Sequence, residues 1–233
     1  MKIRIKFSKT GVMKFIGHLD MMRYFQKAIR RAEIDVTYTG GYSPHQVMSF
    51  AAPLGVGLES QGEYFDIEVN SMLNCEDLKQ KLNSAMSDGI EILSVKILPD
   101  DAGNAMASVA AAKYKICFRK GYEPDGNWQQ ILQAFLEQDC IMVEKETKKS
   151  KKEFNLKPYL FSWEIIDNSV ILTVDASSSG NIKPSLVFHA YAVSQELTLS
   201  EFALQVTRLE TYTSKMEDGK QIFIPLDEIG YTA

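Results

Sequence analysis

Only three histidines occur in the 233 residues; His18 stands inside the lysine- and arginine-rich segment 1–31 and His45 beyond it, where the fold could bring the two together. Two imidazoles beside cations are what metal-independent RNA cleavage requires. One takes the 2'-OH proton, the other protonates the leaving 5'-oxygen, and a guanidinium or ammonium stabilises the phosphorane. Asp20, Ser43 and Glu63 are the polar residues at hand, which makes His18, His45, Asp20 and Glu63 the candidate catalytic set. A metal held by His18, His45 and an acid is a weaker alternative. The plainer reading gives His18 a capping or packing role at a helix start, and His189, between Phe188 and Tyr191, a structural one.

The residues around these groups must position them. His45 follows GGYSP (40–44), where Gly40 and Gly41 allow positive φ and Pro44 biases Ser43 to an extended form. His18 opens a segment whose apolar residues Leu19, Met22, Phe25, Ile29 and Ala32 recur every three or four positions, predicting a helix over about 17–32 with Gly17 as N-cap. Its other face carries Arg23, Lys27, Arg30 and Arg31 with no acid interleaved. Such a stripe repels itself unless an anion lies opposite, and RNA phosphates fit. Tyr24, Tyr38, Tyr42 and Phe50 are candidates for base stacking.

Charge is unevenly spread. Residues 1–31 hold nine Lys or Arg against Asp20 alone, residues 32–112 balance to -9, and residues 113–233 to -3, within a net -4. One localised anionic-ligand site is implied, not a chain that coats nucleic acid. No P-loop, dinucleotide fingerprint, HExxH, GxSxG or cluster-binding cysteine motif occurs, so no cofactor or metal site is expected. PLGVGLESQG (53–62) reads as a β–β connection more readily than as a phosphate cradle. Cys75, Cys117 and Cys140 form no CxxC and read as buried thiols. With no long apolar run and no secretory pattern, a cytoplasmic, non-membrane protein is expected.

The periodicities give strand, helix, strands, helix, strand over 1–100: KIRIKF (2–7), the basic helix, IDVTYT (34–39), QVMSFA (46–51), EYFDIEV (63–69), a helix at 75–86 and IEILSVKIL (90–98). That is the split βαβ plan. PDDAGNAMASVAAA (99–112) reads as a junction or short helix. Over 113–233 a similar order recurs, with strands at 113–120, from Cys140, at 169–176 and 204–213, and helices at 127–138 and 183–193. The last helix but one turns Trp128, Ile131, Leu132, Phe135 and Leu136 inward, 148–157 is a basic connection, and a loose tail follows Ser214. The expectation is an α+β chain of two ferredoxin-like (split βαβ) domains with antiparallel sheets, 1–100 and 113–233.

FIGHLDMMRYFQKAIRRA (15–32), GYSPHQVMSFAAPLGVGLES (41–60) and GEYFDIEV (62–69) resemble the bacterial family of radical-SAM-linked proteins of unknown function. The matching positions are His18, Leu19, Asp20, Gly41, Pro44, His45, Ser49, Phe50, Pro53, Leu54, Gly57, Ser60 and Glu63; Gly17, Ser43 and Gln46 depart from the family's Ser, Asn and Pro. The resemblance implies the stand-alone form of a domain otherwise fused C-terminally to B12-binding-type radical SAM proteins. It implies a radical SAM protein as partner, and genes for an E/G-type ribonuclease and ribosomal proteins as neighbours, hence RNA or the ribosome as target.

The resulting expectation is an accessory, RNA-binding or substrate-presenting subunit. Arg23, Lys27, Arg30, Arg31 and Tyr42 would contact nucleic acid, and His18, Asp20, His45 and Glu63 would orient it. The alternatives are the metal-independent endoribonuclease using His18 and His45, and a pure protein–protein adaptor.

Overall fold

In a computed structural model, residues 1–71, 74–147 and 150–232 are described. The chain is a mixed α/β protein with mostly antiparallel sheet and few helices. It divides into two compact units, Met1–Ala111 with Arg208–Ala233, and Ala112–Thr207.

The first unit is built on β1 (Lys2–Lys9), which pairs antiparallel with β3 (Glu59–Glu68) on one side and β4 (Ile90–Ile97) on the other. A short β2 (Met48–Phe50) continues beyond β3. The order β4-β1-β3-β2 follows from alternation: Ile3, Ile5 and Phe7 point to one face, in register with Ile67, Phe65 and Glu63 of β3. Two helices cover that face. The first, α1 (His18–Arg31), buries Met21, Phe25, Ala28 and Ile29, and α2 (Cys75–Ser84) buries Cys75, Leu78 and Leu82. Phe7, Phe25, Phe50 and Phe65 form the aromatic centre, with the Phe25 and Phe65 centroids 4.5 Å apart. Each such side chain removed from water contributes about 1.5–3 kcal/mol, which fixes α1 against the sheet.

Of the strands expected over 34–51, IDVTYT makes only isolated bridges, Val36 with Val69 and Tyr38 with Gln46. Residues 59–62, expected in a loop, already belong to β3. Gly62 has a packing reason: a Cβ there would lie 2.7 Å from Glu210 Cα. Glu210 lies on β10 (Leu204–Glu217), which borders β3. The tail expected to be loose is instead ordered. Beyond β10, Asp218 and Gly219, both at positive φ, reverse the chain into β11 (Lys220–Pro225). Leu226 is then fully buried and Tyr231 bridges to Ile97.

The second unit contains the ordered strands β5 (Ala111–Phe118), β9 (Ser169–Asp175) and β8 (Leu160–Ile166), in the sheet order β5-β9-β8. Apart from that sheet, β6 (Met142–Thr147) pairs antiparallel with β7 (Ser150–Asn155). The basic connection expected at 148–157 is therefore largely strand, with Lys148 and Lys149 outside the described residues. Helices α4 (Trp128–Glu137) and α5 (Pro184–Ser194) supply Trp128, Leu132, Phe135, Phe188 and Tyr191 to the core, with Phe118 against Trp128 at 5.1 Å. Ile131 and Cys140 are exposed and Cys117 is half-buried, contrary to the buried positions expected of them, and His189, expected to be structural, is exposed. A short helix, α3 (Ala105–Ser108), occupies the expected junction. Among the described residues no helix is long and apolar enough to cross a membrane.

Candidate functional site

The helix α1 begins where its sequence predicts. Gly17 is the N-cap in extended backbone without a side-chain cap, and its carbonyl accepts from Met21 N–H at 2.9 Å. Because Met21, Phe25, Ala28 and Ile29 turn inward, His18, Leu19, Asp20, Arg23, Lys27, Arg30 and Arg31 turn to solvent. The apolar spacing predicts Leu19 to face inward, yet it is 62% exposed.

The stripe is not wholly unpartnered. Arg23 pairs with Asp20 at 3.1 Å, and Arg31 donates to the Ala85 carbonyl at 2.8 Å. Lys27 and Arg30 make no side-chain hydrogen bond or ion pair among the described residues. Others of the nine N-terminal cations are consumed elsewhere. Arg4 is buried in a two-bond contact with Asp66, Lys6 pairs with Glu210 at 2.5 Å, and Lys14 with Glu59 at 3.0 Å. On α1 the cations left free are thus Lys27 and Arg30, in its second half, while Lys2, exposed at the start of β1, likewise makes no side-chain bond among the described residues.

The 40–49 loop is held beside that half of α1 by Gln46, one of the positions that depart from the family pattern. Gln46 is 5% exposed; its Nε2 donates to the Gln26 carbonyl of α1 at 3.2 Å and lies 3.5 Å from the Tyr38 hydroxyl. Its Oε1 is buried with no hydrogen-bond partner among the described residues. Thr39 closes the loop. Its Oγ1 accepts from His45 N–H at 3.1 Å and lies 3.1 Å from His45 Nδ1, while Thr39 N–H donates to the His45 carbonyl. Gly41 takes positive φ. The turn leaves His45 and Tyr42 exposed, Tyr42 fully, and Tyr38 about half.

Two of the four stacking candidates therefore remain on the surface. Phe50 is buried in the aromatic core, and the half-buried Tyr24 accepts from Ser87 N–H at 2.7 Å. His18 sets its ring edge-on to Phe50 with centroids 5.3 Å apart. His45 is engaged by Thr39 and the Ser43 carbonyl. No hydrogen bond or ring contact joins the two imidazoles among the described residues.

No hydrogen bond or ion pair joins Glu63 to either imidazole among the described residues. Glu63 faces the core side of β3, 4% exposed, and accepts from Arg208 of β10, whose other terminal nitrogen donates to the Ala52 carbonyl at 2.8 Å. Lys9, 3% exposed, joins this cluster; its pKa is lowered by burial, opposed by the Glu63 carboxylate and aided by the Arg208 guanidinium. Arg208 was not singled out from sequence, because its partner stands 145 positions away. On the opposite sheet face Tyr64 donates within 2.6 Å of Glu210 and lies 2.9 Å from Asp227, and Lys6 completes the ring. Burial, then Glu210 and Asp227, hold the Tyr64 phenol far above its ordinary pKa. Among the described residues no three His, Cys, Asp or Glu side chains are placed to hold a metal.

A family model described as an uncharacterized protein conserved in bacteria (DUF2344) matches residues 2–184, and the chain belongs to that family. No curated protein matches it. Among solved structures it is similar to a chain of a Cbf5-Nop10-Gar1 complex, at 8% identity and a TM-score of 0.45. That alignment covers 90% of this chain and 48% of the other, so this chain spans about half its length.

Proposed function

We propose that the chain is an accessory, cytoplasmic binding subunit that holds single-stranded RNA on the second half of α1 and the 40–49 loop. The carrying observation is the pair Lys27 and Arg30, exposed and without an acidic partner among the described residues, beside a loop that presents Tyr38, Tyr42 and His45. Cations that track phosphates next to aromatic faces that take bases are the combination single-strand binding needs. Arg23 and Arg31 border the surface, and His18, Asp20 and Glu63 support the fold around it through Phe50, Arg23 and Arg208.

A radical SAM protein is the proposed partner, supported by the resemblance of 15–32, 41–60 and 62–69. Two ferredoxin-like domains are part of the same reading, supported in the first unit by the order β4-β1-β3-β2 with two helices on one face. The subunit role is favoured over cleavage because His18 and His45 are engaged by different residues.

Fluorescence anisotropy of a labelled single-stranded RNA across a salt series tests this. Wild type should bind at low salt and weaken as salt rises, and Lys27→Ala/Arg30→Ala should lose most of that affinity. No binding at low salt would overturn the reading, and RNA cleavage that requires His18 and His45 would replace it with the nuclease.

A further inference from the structure

Four large apolar side chains stand exposed where the chain enters α1. Val12 is 75% exposed, Phe15 63%, Leu19 62% and Val56 61%. Val12 and Phe15 lie three apart on a single 3-10 turn (Gly11–Phe15), a spacing that stacks side chains along one edge. Leu19 follows on the first turn of α1, past the extended residues Ile16 and Gly17. Val56 comes from a separate loop but is tied to the same place. Gly57 N–H donates to the Lys14 carbonyl at 2.8 Å, and a Cβ on Gly17 would lie 3.9 Å from Val56 Cγ2. Single exposed apolar residues need no explanation, but four on adjoining segments form a patch of the kind that mediates association.

The charges beside the patch decide what covers it. Lys14 is paired with Glu59 at 3.0 Å and Asp20 with Arg23 at 3.1 Å, one acid for each base. RNA or an anionic membrane favours uncompensated cations, which this chain places further along, at Lys27 and Arg30. An apolar centre whose bordering charges are already matched is complementary to itself: in a two-fold contact apolar meets apolar, and neither copy brings an uncompensated charge to the other.

We infer that Val12, Phe15, Leu19 and Val56 form the centre of an isologous contact between two copies of this chain. The contact is separate from the RNA surface and does not depend on it. Each copy keeps its own Lys27, Arg30 and 40–49 loop.

Sedimentation velocity of the full chain without RNA, from low micromolar to near-millimolar concentration, reads this directly. Wild type should shift from monomer to dimer, and Leu19→Asp should remain monomeric with an unchanged circular dichroism spectrum, since Leu19 contributes little to the core. Val56→Ser, in the separate loop, should weaken the dimer as well. A wild type that stays monomeric overturns the inference, as does a dimer undiminished by both substitutions. A monomeric wild type that floats with phosphatidylserine vesicles overturns it in favour of a membrane occupant. Because Leu19→Asp leaves Lys27 and Arg30 in place, retained RNA binding by that variant separates this contact from the proposed function.

Discussion

The Arg208 guanidinium donates to the Glu63 carboxylate across 145 residues of sequence, and both side chains are almost wholly removed from water. Burying two charges is costly, and their attraction offsets that cost only while both are present. Arg208→Met should therefore destabilise the protein by about 3–5 kcal/mol, and so should Glu63→Leu, whereas the double substitution should recover much of the loss. Urea unfolding of the four proteins gives the cycle, and additive single effects would show that the pair is not coupled.

Lys9 makes the same cluster sensitive to pH. Its folded-state pKa lies below the ordinary 10.5, from burial first, with Glu63 opposing and Arg208 adding. The unfolded chain holds that proton more tightly, so the penalty is present in full at lower pH and fades as pH rises toward 10.5. Lys9→Met should gain most, relative to wild type, near neutrality and progressively less in alkali. Urea midpoints at neutral and alkaline pH check the sign, and a difference that does not vary with pH would mean that Lys9 is not perturbed.

Much of this arrangement is written locally and some is not. The helix expected at 17–32 is found at 18–31, because capping and apolar period are properties of neighbouring residues. Leu19 was misassigned because steps of three or four allow several rows. The buried row runs through Met21, Phe25 and Ile29, and Leu19 is displaced from Met21 by about 200° around the helix. The β1–β3 partnership was legible in phase: Lys2 and Arg4 alternate with Ile3 and Ile5 just as Glu68 and Asp66 alternate with Ile67 and Phe65. The expectation of a loose tail after Ser214 overlooked a local signal, since the Asp218-Gly219 dipeptide suits a two-residue hairpin. No local pattern announces Arg208 for Glu63, Glu210 for Lys6 or Gln46 for Gln26. Those pairings exist only once the chain has folded.

Tyr64 gives an alkaline counterpart to Lys9. Its hydroxyl lies between Glu210 and Asp227, and burial together with these carboxylates keeps the phenol protonated far above the ordinary 10.0. An acid whose folded pKa is raised contributes stability that is present below the unfolded pKa and lost as pH rises past it. Wild type should therefore weaken above pH 10.0. Tyr64→Phe should be less stable below that pH by about 1.5–3 kcal/mol, for loss of hydrogen bonding to charged acceptors, and show a flatter alkaline limb. Tyrosinate absorbance gives an independent reading, because one fewer phenol should resist titration in the folded variant.

The salt dependence of RNA binding distinguishes cations that are free from cations already matched. Each phosphate neutralised on a single strand adds about 0.7 to the magnitude of the slope of log K against log salt, so Lys27→Ala/Arg30→Ala should reduce that magnitude by about 1.4. Arg23→Ala should change it less, because Asp20 already compensates Arg23 at 3.1 Å. Asp20→Asn reverses the logic: it frees Arg23 for phosphate and should tighten binding at low salt. Anisotropy titrations at several salt concentrations measure all four proteins on one scale. If Arg23→Ala lowers the slope as much per residue as Lys27 and Arg30 do, the RNA lies along the first turns of α1 and the surface assigned to its second half is misplaced.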